Sequence, residues 1–416
     1  MNTLRTSTSI LFLLVFTFIT RAVNKPLIEG RWKGILALST TANLPFDVQI
    51  KRQKFKTRLE FHIINGKEDI TLVQYENIKD SIKLVFPAFS TYLLLKPLKN
   101  NRLEGYWINP NKVKNNRIPC VITYGSGKRF EHPALYLSAL QVPDIQGKWE
   151  TTFEPGMPDS TKLLGIFQQR INQVSGTFLS ETGDYRFLEG NIILDSIFLS
   201  TFDGSHAFLF KGKISEKKHI SGEFYSGKHS VCKWIALKNN AFELPHPDSL
   251  TYLTTKEPFS LQIKNDNGVI FEYPNHKTEN NVVIIQIMGT WCPNCMDESM
   301  FFKELYQKYH SKGLEIYALC YENGSDETFQ KQRIKNYIEH LNPGYELILA
   351  GTSKKDLAAE HFKMLNHIIS FPTAIFIGRD GSVKRIHTGF NGPGTDSYYT
   401  DYVQETESFI LSLLQN

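Results

Sequence analysis

Cysteine is scarce in this chain, with five in 416 residues. A small disulfide-held scaffold needs a far denser supply. Cys120, Cys232 and Cys320 stand singly, so no second cysteine pair accompanies Cys292 and Cys295. A structural zinc site takes four ligands, commonly with a second Cys or His pair. No metal site is therefore expected, and no cofactor is implied. Strong charge of either sign is also missing. The formal net charge of +5 implies no special attraction to nucleic acid. With 41% hydrophobic and 21% charged residues, the composition is that of ordinary globular protein. The length predicts two or three domains. Long apolar runs are absent except near the start.

That exception is Ile10 to Ile19, preceded by Arg5 and followed by Thr20 and Ala22 at the −3 and −1 positions of a cleavage site. A helix over this run reaches only ~15 Å, half a bilayer core. Residues 1–22 therefore read as an export signal, and the expected location is the periplasm or cell envelope. An uncleaved anchor is the rival reading, and membrane contact is expected only in that case. No Cys lies near the cleavage point, so a lipid anchor is not expected.

The most informative residues are Cys292-Pro293-Asn294-Cys295, in the run Val282 to Glu298. An apolar strand leads into a short turn, Trp291, and two cysteines spaced to share one helical turn. Two such thiols can close a disulfide and open it by exchange with another. Free N–H groups and the dipole at a helix start favour a thiolate. Cys292 precedes the helix and is expected to be the more exposed, attacking thiol. Cys295, one turn in, is the expected resolving thiol. Pro293 suits the first helical turn, where its missing N–H costs little.

Phe302, Leu305 and Tyr309 fall within ~40° of Glu298 on a 3.6-residue wheel. Glu298 therefore lies on the apolar stripe, where a carboxyl has a raised pKa and can relay a proton to the resolving thiol. The rival reading is a first-turn acid that reaches solvent. Gln286 alternates with Ile285 and Ile287 in the preceding strand. It is either a satisfied structural amide or a group that orients the dithiol. Pro372, just before a buried strand, suits either a cis bond or an ordinary trans turn. Cys320, at a strand end, is expected to be an inert buried thiol.

A repeat runs through the first 250 residues. Ile28-Glu29-Gly30-Arg31-Trp32 recurs as Ile145-Gln146-Gly147-Lys148-Trp149, and Asp80-Ser81-Ile82 recurs as Asp195-Ser196-Ile197. Landmarks in the same order at one spacing indicate duplication. Alternating runs broken by turn signals read as β, and Asp203-Gly204 is a hairpin candidate. Asp184-Tyr185-Arg186 and Asp203 to His206 read as turn chemistry or as a binding site, with turn chemistry the cheaper account. The expected organisation is a signal at 1–22, β modules at 23–142 and 143–252, barrel- or sandwich-like, and an α/β domain at 253–416. One larger β domain made of both halves is the alternative. In the last part strands are predicted at 282–288, 314–320, 345–349, 373–377 and 383–388. Helices are predicted at 293–311, 327–341, 355–365 and 400–414, around a mainly parallel sheet.

Thr290-Trp291-Cys292-Pro293-Asn294-Cys295 with Glu298, Phe371-Pro372-Thr373 and Arg379-Asp380-Gly381 resembles the thioredoxin fold. Within it, the chain is similar to TlpA/ResA-type exported thiol–disulfide reductases. The tail Thr388 to Thr395 and the β half resemble the Bacteroidetes type, which carries N-terminal extensions. The resemblance implies a cis Pro372 packed against the dithiol, with Trp291 and Pro293 supporting it. It also implies that Glu298 matches the family's active-site Glu. Gln286 stands where thioredoxins carry a buried Asp. The implied activity is reduction of protein disulfides, with protein thiols and disulfides and an upstream electron donor as partners. Two other classes stay open. One is an envelope binding protein whose thioredoxin-like part serves for docking. The other is a thiol peroxidase, although Thr290 stands two residues before Cys292 rather than the three expected there.

Overall fold

The structure is a computed structural model. It describes residues 27–415 apart from 53–58, 73–74, 113, 137–141, 216–217 and 266–267. The expected export segment, residues 1–22, lies outside the described residues.

Nine strands from Gly30–Ala37 to Arg117–Tyr124 form one antiparallel sheet. Its first strand pairs with both Asn43–Arg52 and the last strand. This sheet is a half-barrel. A second set, from Gly147–Phe153 to Ser230–Lys238, repeats the arrangement. Its first strand pairs with Thr161–Arg170 and with the last strand. In this copy Gln173–Ser180 also pairs with Leu188–Ile193, so eight strands close into a barrel. The Gly-x-Trp opening has the same geometry twice. Gly30 and Gly147 hold φ of 136° and 107°, a backbone that side-chain-bearing residues rarely adopt. The indole N–H of Trp32 then reaches the Ile28 carbonyl at 3.1 Å, and that of Trp149 the Ile145 carbonyl at 2.7 Å.

The barrel encloses its own aromatic core. Phe210 stacks between Phe178 and Phe224 at 4.6 and 4.4 Å, with Trp149 and Trp234 fully buried. The half-barrel does not close on itself in this way. Its core includes Phe202, Ala207, Leu209 and Tyr225 from the outer face of the barrel. Phe202 meets Phe46, Phe86 and Trp107 at 4.9, 5.4 and 5.2 Å. Asn65 stitches the seam, donating to the Phe202 carbonyl and accepting its N–H. The two sheets exchange no strands among the described residues, yet they share this core.

The C-terminal part is α/β. Its five-stranded sheet runs Glu346–Thr352, Leu314–Glu322, Val282–Met288, Thr373–Ile377, Val383–Thr388. The central strand Val282–Met288 is buried at every position, as a strand covered on both faces must be. Helices α1 (Pro293–Tyr309), α2 (Glu327–Leu341), α3 (Lys355–His361) and α4 (Ser397–Gln415) pack around it. The sheet is mixed rather than mainly parallel: the first three strands are parallel, and Thr373–Ile377 runs antiparallel to both of its neighbours. The turn at Arg379-Asp380-Gly381 is too short for a crossover, so its two strands must reverse direction. The hairpin Leu261–Asn265 with Gly268–Tyr273 precedes the sheet. The Pro-rich stretch before it is anchored. The Asp248 carboxylate accepts from His387 Nδ1 at 2.6 Å and pairs with Arg385 at 2.9 Å.

Candidate active site

The two motif cysteines sit where the central strand hands over to α1. Cys292 is the N-cap, and its Sγ accepts the Cys295 N–H at 3.3 Å. Pro293 takes the first helical position. Both cysteines are free thiols. Cys292 is 8% exposed and Cys295 is 0% exposed. Burial, together with the neighbouring Cys292 and Glu298, pushes the Cys295 thiol well above its ordinary range. The peptide bond between Phe371 and Pro372 is cis. The Phe371 carbonyl lies 3.5 Å from Cys292 Sγ.

The turn carrying Trp291 is held from below. The Trp291 indole N–H donates to the Tyr321 carbonyl at 2.9 Å. The Thr290 N–H and hydroxyl both donate to the buried Glu322 carboxylate, at 2.7 and 2.8 Å. Arg333 balances that carboxylate at 3.4 Å.

Glu298 has no exposed surface, so the reading of it as a solvent-reaching acid does not describe this fold. Gln286 Nε2 donates to Glu298 Oε2 at 2.8 Å, and Ser299 Oγ donates to Gln286 Oε1 at 3.1 Å. Gln286 is thus a satisfied amide and also the group that orients Glu298. Glu298 Oε1 has no partner among the described residues. Burial pushes its carboxyl up to about 8, against the hydrogen bond from Gln286. Cys320 is fully buried against Met288, and burial raises its thiol well above the ordinary range.

The neighbouring acid, Asp297, was not singled out by sequence reasoning. It faces the other way, across the junction with the β part. There Arg186 is buried among Asp297, Glu68 at 2.7 Å and Asp203 at 3.3 Å. These acids come from α1, the half-barrel and the barrel in turn. One guanidinium cannot balance all of them, and burial opposes their ionisation. Desolvation raises Asp297 to about 7 despite Arg186, and raises Glu68 as well. Asp203 goes down instead, because His206, Arg186 and the His206 N–H all favour its carboxylate.

The same junction reaches the dithiol loop. Asn294 Nδ2 donates to the Phe390 carbonyl at 2.9 Å and to Asp184 at 3.3 Å, and the Gly392 N–H also donates to Asp184. Ser370 Oγ donates to the Thr182 carbonyl at 2.9 Å, and Ser205 Oγ to the Trp291 carbonyl at 3.3 Å. The Asp203 turn is therefore turn chemistry, with its carboxylate taking the Ser205 N–H at 2.8 Å, and a contact to the motif as well. Nothing in a single sequence ties Arg186 to Asp297. The nearest hint was the Asp184-Tyr185-Arg186 cluster, which reads as turn chemistry or as a binding site.

A buried dithiol at a helix start, with a cis-Pro loop against it on a central strand, defines a thioredoxin-type redox centre. Residues 265–402 match the Redoxin family. Thiol-disulfide oxidoreductase ResA of Bacillus thuringiensis subsp. konkukian is 29% identical over 137 residues, which is 32% of this chain and 72% of that protein. ResA of Bacillus cereus is 28% identical over 137 residues, with the same shares covered. A solved structure of a putative thiol:disulfide interchange protein DsbE from Chlorobium tepidum is 18% identical. It covers 38% of this chain and 94% of its own, with a TM-score of 0.28. These matches support a TlpA/ResA-like, thioredoxin-superfamily character for the C-terminal part of the chain.

Proposed function

We propose that this protein is an exported thiol–disulfide oxidoreductase that reduces disulfides in protein substrates. The observation that carries this reading is the asymmetry of the pair: Cys292 caps α1 and keeps a small exposure of 8%, while Cys295 has none. Cys292 as thiolate attacks one sulfur of the substrate disulfide, and the other sulfur leaves as a thiolate. Cys295 then gives up its proton and attacks Cys292 Sγ, releasing the second substrate thiol. The substrate gains two electrons and two protons. The enzyme ends as the Cys292–Cys295 disulfide, and an upstream dithiol donor restores it.

Glu298, three residues along α1 from Cys295 and fully buried, is the group we assign to move the Cys295 proton. Its carboxyl titrates at about 8, close enough to working pH to accept and return it. Trp291, Pro293, Gln286 and Pro372 hold this geometry and transfer nothing themselves.

Cys295→Ser should trap substrate proteins as mixed disulfides through Cys292, visible on non-reducing gels. Trapping by Cys292→Ser instead would reverse the two roles. Glu298→Gln keeps the acceptor for Gln286 but cannot take a proton, so exchange should slow by about tenfold to a thousandfold at neutral pH. The carboxyl's folded pKa is raised from 4.5 to about 8. Its contribution to stability is therefore present below the unfolded value and lost as pH rises through 8. The Gln variant should lack that loss, so its advantage in Tm should grow from pH 5 to pH 8. Coincident pH–rate profiles would remove Glu298 from the mechanism.

A further inference from the structure

Beside Trp291 lies a cavity of about 320 Å³ that draws on all three parts of the molecule. The half-barrel contributes Trp107 and Lys112, the barrel His206, Phe208 and His229, and the thioredoxin-like domain Trp291 itself. No Asp or Glu lines it among the described residues. Lys112 Nζ meets His229 Nδ1 at 3.2 Å. No carboxylate lies within ion-pair distance of Lys112 among the described residues. Burial holds its ammonium below the usual range, with no acid to offset the loss of water. The Asp203 carboxylate behind His206 pairs with that ring at 3.2 Å and with Arg186 at 3.3 Å, and also accepts from its own turn, so it is not free for Lys112.

Trp107 supplies a second, independent observation. It is 3% exposed, and its indole N–H has no hydrogen-bond partner among the described residues. A buried donor left unpaired costs free energy that an incoming acceptor recovers. A half-buried cation with no acid partner and a residue with an orphan donor line one cavity and suit an anionic acceptor, and a carboxylate makes a strong charge-assisted bond to an ammonium. The cavity's volume is near the lower end of ligand sites, about 300–1,000 Å³. It holds one or two side chains, not a folded surface. Trp291 directly precedes Cys292, so a chain held there runs past the attacking sulfur.

Resting on the reductase reading above, we propose that this cavity recognises an acidic segment of the substrate polypeptide next to its reactive cysteine, its carboxylate received by Lys112 and the Trp107 N–H. The half-barrel and barrel then act as the specificity element of the enzyme.

The test uses the full chain with three substrates: a disulfide peptide flanked by Asp and Glu, the same peptide flanked by Ser, and uncharged hydroxyethyl disulfide. The acidic peptide should exceed the Ser peptide in kcat/KM by about tenfold, carried mostly in KM. That ratio should shrink with added salt. Lys112→Glu should bring it to about one or invert it, and Trp107→Phe should lower it by about two- to fivefold. Equal rates on the two peptides, or a ratio unmoved by Lys112→Glu, would overturn the proposal. So would hydroxyethyl disulfide outpacing both peptides, which would make the occupant a small disulfide. Failure to reduce any of the three would defeat the reductase reading instead. In that event a cysteine-free acidic peptide, followed by tryptophan fluorescence, tests the cavity by itself. Saturable binding weakened by Lys112→Glu supports recognition, and no binding refutes it.

Discussion

In the barrel, strand Gln173–Ser180 is joined by Leu188–Ile193 and the ring closes. In the half-barrel, the corresponding strand Leu59–Asn65 pairs with Glu68–Leu72, while Tyr75–Ile78 pairs with Ser81–Phe86 alone among the described residues. The two regions share the first-to-last strand pairing and the Trp contact, and they differ in closure. The closed copy fills its interior with its own rings. The open copy takes Phe202 and its neighbours from the closed one. A duplicated strand order therefore does not imply duplicated independence. One unit is self-contained, and the other is completed by the first. The difference also serves the dithiol. The barrel turns that reach the half-barrel, at Arg186 and Asp203, are the same turns that reach Asp297 and Trp291.

This comparison breaks most sharply at Arg186. Arg186→Met leaves the buried acids Glu68, Asp203 and Asp297 without their cation, which should cost about 3–5 kcal/mol at pH 8. Asp297 and Glu68 have raised folded pKa values, Asp297 about 7. They bind protons more tightly in the folded state, so their contribution is retained at low pH and lost as pH rises through about 7. The penalty in urea unfolding should therefore be clearly smaller at pH 5.5 than at pH 8. An equal penalty at both would mean that the acids do not share the charge as described.

A smaller effect is expected at Phe202, which belongs to the barrel chain but packs in the half-barrel. Phe202→Leu removes ring contacts to Phe46, Phe86 and Trp107 and should cost on the order of 2 kcal/mol. The loss should appear in the half-barrel, as faster amide exchange in Asn43–Arg52, while Gly147–Phe153 stays protected. Uniform loss of protection would mean the two units unfold as one.

The smallest test uses the matched tryptophans. Trp149→Phe and Trp32→Phe each remove one indole hydrogen bond, worth about 1 kcal/mol. Ile145 is fully buried, whereas Ile28 is 42% exposed, so the carbonyl orphaned in the barrel is less able to find water. The barrel variant should lose more, by a few tenths to about 1 kcal/mol in chemical denaturation. Equal losses would mean that the two ends are equally wet.

Sequence reasoning carried far in the C-terminal part because its signals are local. An apolar strand, a capping cysteine, Pro293 at the first turn and the stripe through Phe302 and Leu305 are all set within a few residues. So the strands and helices and the placing of Cys292 and Cys295 on one helical turn could be read from the sequence alone, while Glu298 was placed on the apolar stripe with a solvent-reaching alternative that only its burial removed. The repeat was legible for the same reason, as Gly-x-Trp and turn signals recur in order. The closure of one copy and the openness of the other were not, since both have the same alternation. The reversed strand Thr373–Ile377 was not legible either: a mainly parallel sheet was expected, and its antiparallel pairing with Val282–Met288 joins residues far apart in the chain.

By itself, the chain of residues determined a dithiol at a helix start, an α/β alternation in the last part and two related β modules, and the thioredoxin fold came from resemblance to a known family. Local hydrogen-bond geometry and side-chain period are enough for the first three. Only the tertiary structure decided that Arg186 meets Asp297 across 111 positions, that Phe202 completes another unit's core, and that Lys112, His229, Trp107 and Trp291 line one cavity. Those contacts depend on how separate units pack. Packing is set by shape and burial summed over whole surfaces, and no short stretch of sequence carries that sum.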